Sequence, residues 1–179
     1  MNTELKRLIE ENYRVVSEMF VFGNLPIDEG REENMLCPVV SEEFQTLEQL
    51  RGYLETIYTR EEADRILKEG ADLGGPLYVE KEGTLYIDFN WVSGGAPEAW
   101  KAWTVEPEVL PEDRDESDFT VHVNFDIPQP DEEEEIEAFE EIRKGTYVFH
   151  AVRTAEGWRL SRMVDRPMEW KTEEKETEE

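Results

Sequence analysis

The chain has 179 residues, enough for one domain with a substantial core, and its 45 acids against 19 Lys and Arg give a formal net charge of −26. That balance excludes ordinary nucleic-acid binding by phosphate neutralisation and argues against anionic membranes, while favouring solubility and attraction to any partner with a basic surface. A single cysteine, Cys37, excludes an internal disulfide, and with only His122 and His150 there is no Cys/His cluster at metal-ligand spacing, so no metal or other cofactor is expected.

Residues Thr3 to Phe20 predict an amphipathic helix, with Leu5, Leu8, Ile9, Tyr13, Val16 and Phe20 at helical spacing, lying on a sheet. The apolar run Met19 to Phe22 is too short for a signal or membrane segment, so any leader is expected to be missing from this chain. Gly23 to Pro26 breaks the helix, and Met35 to Val40 reads as a short strand in which Cys37 is a buried structural thiol. Leu47, Leu50, Leu54 and Ile57 then mark a helix opened by a Thr46/Gln49 capping box, and Thr59/Glu62 opens a shorter one carrying Ala63, Ile66 and Leu67 up to Gly70. After Pro76 the period changes to two: Leu77, Val79, Leu85, Ile87 and Phe89 are expected on one face of a hairpin turning at Glu82-Gly83, with the preceding helix packed on that face.

Trp91 to Pro97 turns the chain, Trp100 to Val105 is a strand candidate, and Phe119, Val121, Val123 and Phe125 alternate along another, with Thr120, His122 and Asn124 facing the other way. Tyr147 to Val152 and Trp158 to Val164 form a last hairpin around Ala155-Glu156-Gly157. Together these elements predict a single α+β domain over residues 1–170, a curved, mostly antiparallel sheet of six or seven strands packed against two or three helices. Residues 171–179, KTEEKETEE, have no apolar side chain to dock them and are expected to be a disordered acidic tail.

The acids are clustered. Between Glu106 and Asp118 seven of them face one cation, Arg114, in the connector joining two strands, and Val109-Leu110 sits between Pro107 and Pro111 as an apolar tip with stiff shoulders. A second cluster, Asp131 to Glu135 with Glu137, Glu140 and Glu141, spaces Ile136, Phe139 and Ile142 as a short acidic helix or a tethered loop would. A run of like charge is by default only solvated surface. An acidic loop alone speeds encounter more than it tightens a complex, so an apolar anchor is needed as well, from Leu110 or from one of Trp91, Trp100 and Trp103. No phosphate loop, dinucleotide fingerprint, nucleophile elbow or zinc-protease helix is present, and neither histidine has a matching nucleophile, so the chain is expected not to be an enzyme.

Several stretches carry a family resemblance: Leu25-Pro26-Ile27-Asp28-Glu29-Gly30, then Pro38 to Phe44 leading into Leu50-Arg51-Gly52-Tyr53-Leu54-Glu55-Thr56-Ile57-Tyr58-Thr59, the Ala63 to Leu67 segment, Pro76 into Leu77-Tyr78-Val79, and Gly83-Thr84-Leu85-Tyr86-Ile87. In order and spacing they resemble the IseA family of bacterial DL-endopeptidase inhibitors over the middle of the chain, with Gly157-Trp158-Arg159-Leu160 following the same layout more loosely. The resemblance implies a secreted or cell-surface protein of cystatin-like or nuclear-transport-factor-like outline that blocks NlpC-type peptidoglycan hydrolases by entering their basic Cys-His cleft with an acidic loop. By strand order that loop is Glu106 to Asp118, so Glu108, Leu110, Glu112, Asp113, Asp115 and Glu116 are the expected partner-binding residues.

The function expected is therefore inhibition or regulation of a cell-wall DL-endopeptidase by a monomer that neither binds nucleic acid nor inserts into a membrane. The rival is a small-molecule-binding domain of nuclear-transport-factor type, with a pocket lined by aromatics such as Tyr78, Tyr86, Trp103 and Tyr147 and with His122 or His150 pointing into it.

Overall fold

The computed structural model describes residues 2–21, 25–70, 74–92, 99–125 and 141–174. Helix α1 (Thr3–Arg14) is capped by Asn2, whose side chain accepts from Glu4 N, and passes directly into a π-helical stretch, Val15–Phe20. The widened turn changes which side chains face inward. Leu5, Leu8, Ile9 and Asn12 are buried on α1, as the 3.6-residue period requires, but Val15, Met19 and Phe20 are buried beyond it while Val16 is only half-buried.

Strand β1 (Leu36–Pro38) is followed by α2 (Leu47–Glu55) and α3 (Arg60–Glu69). The Thr46/Gln49 box is complete, whereas at α3 only half of it forms. Thr59 Oγ1 accepts from Glu62 N, but the Glu62 carboxylate turns away to accept from Arg65 and from Met163 N at 2.7 Å. Strands β2 (Tyr78–Lys81) and β3 (Thr84–Asp88) pair across Glu82-Gly83, both at positive φ, and β1 adds to the other side of β3. A two-residue turn places Val79 opposite Tyr86 and Tyr78 opposite Ile87. Tyr78, not Val79, therefore shares the buried face with Leu85 and Ile87, and its hydroxyl donates to Met19 O at 2.6 Å.

The second sheet holds β4 (Trp100–Glu106), β5 (Glu116–Phe125), β6 (Glu141–Thr154) and β7 (Gly157–Leu160) in that order, with β8 (Glu169–Glu174) also on β6. The protein is thus an α+β fold with curved antiparallel sheet, and among the described residues its eight strands divide between two sheets. Phe119, Val121, Val123 and Phe125 point inward as their alternation requires, and Phe119 stacks on Phe149 at 5.1 Å. Strand β7 stops at Leu160 rather than continuing to Val164, because Met163 N and Val164 N leave the sheet to bond Glu62 and Asn12. Residues Lys171 to Glu174, expected to be disordered, instead lie in β8, whose backbone pairs with the first half of β6 and whose Trp170 stacks on Phe125 at 5.1 Å. Residues 175–179, the acidic segment 126–140 and most of the turn after Trp91 lie outside the described residues.

Helix α1 lies between α2 and the larger sheet, tied to both. Arg7 donates to Thr56 O, Tyr53 OH to Glu11 and Tyr58 OH to Asn12 Oδ1, while Glu4 accepts from Trp158 N. Burial pushes the Tyr53, Tyr58 and Tyr78 phenols up, reinforced at Tyr53 by its bond to Glu11, and burial followed by Glu32, Glu29 and Asp28 pushes the Cys37 thiol up. The unfolded chain releases these protons first, so the stability they contribute is complete below about pH 8 and is lost as pH rises past the ordinary thiol and phenol values of roughly 8.5 and 10. Urea midpoints should hold steady from neutral pH to about pH 8 and fall steeply near pH 10; a midpoint unchanged through pH 10 would show these groups to be solvated.

Candidate functional site

Strand β4 ends at Glu106 and β5 begins at Glu116, so the acidic connector runs from Pro107 to Asp115, and its first peptide, Glu106–Pro107, is cis. Its backbone is clamped at four points. Asn2 N donates to Glu108 O at 2.9 Å, and Arg153, on the neighbouring β6, donates through Nη2 to Pro111 O at 2.7 Å, through Nη1 to Glu112 O at 3.1 Å and through its own N–H to Asp115 O at 2.7 Å. The Arg153 guanidinium also lies 4.9 Å from the centre of the Trp158 ring. Arg153 thus spends guanidinium donors on main-chain oxygens, and no ion pair, from Arg153 or from the loop's own Arg114, reaches Glu112, Asp113, Asp115 or Glu116 among the described residues.

Leu110, expected as the exposed anchor, is only 5% exposed and belongs to the core, whereas Val109 is 58% exposed. Of the two adjacent side chains Leu110 is the larger and gains more by burial. Of the remaining expected residues, Glu108, Glu112, Asp113, Asp115 and Glu116 are all exposed. Beside the loop lies an open hollow of about 600 Å³ that Pro107, Val109 and Pro111 share with Glu116, Asp118, Arg114 and His150. His150 Nδ1 meets Asp118 Oδ1 at 2.7 Å.

A second concave site was not legible as a unit. Between α1 and the larger sheet is a cleft of about 530 Å³ walled by Tyr13, Trp100, Tyr147, Phe125 and Trp170. Their rings form an unbroken chain, with centroid separations of 4.8, 5.1, 6.5 and 5.1 Å in that order. Arg143 stands 5.8 Å over the Trp170 ring, and Arg166 and Asp165 complete the mouth. Asn12 fixes this side of the cleft, donating to Val164 O at 2.9 Å and accepting from Val164 N at 3.1 Å.

This pocket differs from the aromatic one expected. Of the four aromatics named for it only Tyr147 lines it: Tyr78 is core, Tyr86 pairs with Val79 on the smaller sheet, and Trp103 flanks a separate hollow with Lys101. His122 and His150 alternate to the opposite face of the sheet, where His122 approaches Thr146 Oγ1 at 3.4 Å, so neither enters the cleft. The five wall residues come from five different elements, and no local spacing links them. Among the described residues no three His, Cys, Asp or Glu side chains converge as metal ligands, and no helix is long and apolar enough to cross a membrane. No protein-family model matches this chain, nor does any curated protein.

Proposed function

We propose that the protein is a non-enzymatic inhibitor or regulator of a peptidoglycan DL-endopeptidase of NlpC type, acting by seating its acidic β4–β5 loop in a basic active-site cleft. The observation that carries this reading is the Arg153 clamp, which stiffens the loop through main-chain oxygens while leaving the carboxylates of Glu112, Asp113, Asp115 and Glu116 unneutralised. A loop already ordered loses little entropy on docking, and exposed carboxylates steer a cationic partner toward it. With Leu110 inside, Val109 is the apolar contact, and in the adjoining hollow Pro107, Val109 and Pro111 would flank the methylenes of a long basic side chain and Glu116 its charge, with Arg114 and the His150–Asp118 pair completing the lining. The target class comes from the family resemblance, as does an extracellular or cell-surface location.

A peptidoglycan digestion assay with a purified NlpC-type DL-endopeptidase tests the proposal. The wild-type chain should slow digestion at near-stoichiometric amounts, and a variant with Glu112, Asp113, Asp115 and Glu116 replaced by lysine should not. Equal inhibition by the two would refute the loop's role, and failure of the wild type to inhibit any such enzyme would refute the target class.

A further inference from the structure

We propose, on the reading of the β4–β5 loop as the binding element, that Glu4 in the first turn of α1 is a positioning residue for that loop. Its carboxylate holds Trp158, Trp158 supports the Arg153 guanidinium, and Arg153 keeps the loop in shape.

Strand β7 lies at an edge of the larger sheet, where alternate N–H groups point away from β6. Leu160 N donates to a main-chain oxygen, that of Ile57, at 2.8 Å, but Trp158 N donates to a side chain, Glu4 Oε1, at 2.9 Å. The same oxygen lies against the preceding turn, since a Cβ on Gly157, at φ 113°, would stand 2.8 Å from it. The half-buried carboxylate is therefore seated on the backbone at the start of β7, and a hydrogen bond to an ionised group is stronger than one between neutral groups.

Trp158 pairs directly with Arg153 across β6 and β7, which sets ring and guanidinium on one face, 4.9 Å apart. From that platform Arg153 reaches Pro111 O and Glu112 O. At the other end of the loop Asn2 N donates to Glu108 O at 2.9 Å, while Asn2 Oδ1 accepts from Glu4 N at 2.8 Å. The contacts close a ring, from Glu108 through Asn2, Glu4, Trp158 and Arg153 back to Pro111 and Glu112, and each of these links to the loop ends on a main-chain oxygen. Glu4→Ala opens the ring at one point. It leaves Arg153 and every loop acid in place and deletes no core side chain. If Glu4 served only to dock α1 on the sheet, its loss would lower the stability of the whole domain and do nothing particular to the loop.

The test compares Glu4→Ala with Glu4→Gln, which keeps an oxygen for Trp158 N, and with Thr46→Ala, which removes the α2 cap and destabilises the fold away from the loop. In the free full chain, the heteronuclear NOE of the Asp113, Arg114 and Asp115 amides should fall in Glu4→Ala and hold at wild-type values in the other two. Against a purified NlpC-type DL-endopeptidase, Glu4→Ala should dissociate about three- to tenfold faster at an unchanged association rate, and Glu4→Gln should recover most of that loss. Because Glu4 acts through Arg153, adding Glu4→Ala to Arg153→Ala should change neither reading further. Wild-type NOE values in Glu4→Ala, an equal loss in Thr46→Ala, or additive effects in the double variant would each overturn the proposal. The amide readout needs no partner, so a wild type that binds no such enzyme refutes the target class, while the role of Glu4 in ordering the loop is still decided in the free chain.

Discussion

Arg153→Ala is expected to weaken binding of the basic partner by roughly tenfold to a hundredfold, although it makes the chain more negative. The substitution removes two side-chain donors from the carbonyls of Pro111 and Glu112 and the cation from the Trp158 ring. It leaves every carboxylate of the loop in place. If charge alone governed recognition, an added negative unit would quicken association; if the loop's fixed shape matters, the residues from Pro111 to Asp115 must be ordered at the moment of binding, at a cost of about 0.5–1.5 kcal/mol per immobilised side chain. Arg153→Lys keeps the charge but not the fork that spans two carbonyls, so it should behave closer to the alanine variant than to the wild type. The association and dissociation rate constants check this: the account expects the change to lie mainly in dissociation.

Glu62→Ala should be the most destabilising of the polar substitutions, by roughly 2–4 kcal/mol. Glu62 is buried, receives two guanidinium hydrogen bonds from Arg65 at 2.8 Å each, and accepts from the buried N–H of Met163 at 2.7 Å. Alanine leaves that N–H without a partner and releases the connector that carries Val164 and Pro167 to the cleft. Arg65 is 22% exposed and recovers part of its hydration, which keeps the loss below that of a fully enclosed ion pair. Glu62→Gln retains an acceptor for Met163 and should cost clearly less. Thermal midpoints distinguish the two, since a chain of this length shifts by roughly 2–4 °C per kcal/mol.

Local chemistry was legible in the sequence wherever one element determined it. The Thr46/Gln49 box, the cap at Thr59, the inward run from Phe119 to Phe125 and the turn at Glu82-Gly83 all follow from spacing a few residues long, and all are present. What escaped depended on distant partners. The capping-box pattern at Thr59 could not show that Glu62 would serve Met163, about a hundred positions away. The polarity of Lys171 to Glu174 hid a strand, because an edge strand needs main-chain pairing and one anchor, Trp170, more than it needs apolar alternation. At the loop, composition located the exposed acids but could not choose between Val109 and Leu110, since that choice is made by the pocket beneath. Asn12, a polar residue on the buried face of an amphipathic helix, was the one local sign of the clamp beside the aromatic cleft.

The central claim is that fixed, unneutralised carboxylates on the β4–β5 loop guide and hold a cationic groove, and the association rate constant with an NlpC-type DL-endopeptidase, measured across ionic strength, tests it most directly. The account predicts a wild-type rate that falls steeply as salt rises, and a much slower, nearly salt-independent rate for the variant carrying lysine at Glu112, Asp113, Asp115 and Glu116. Rates that coincide for the two chains at every salt concentration would contradict it.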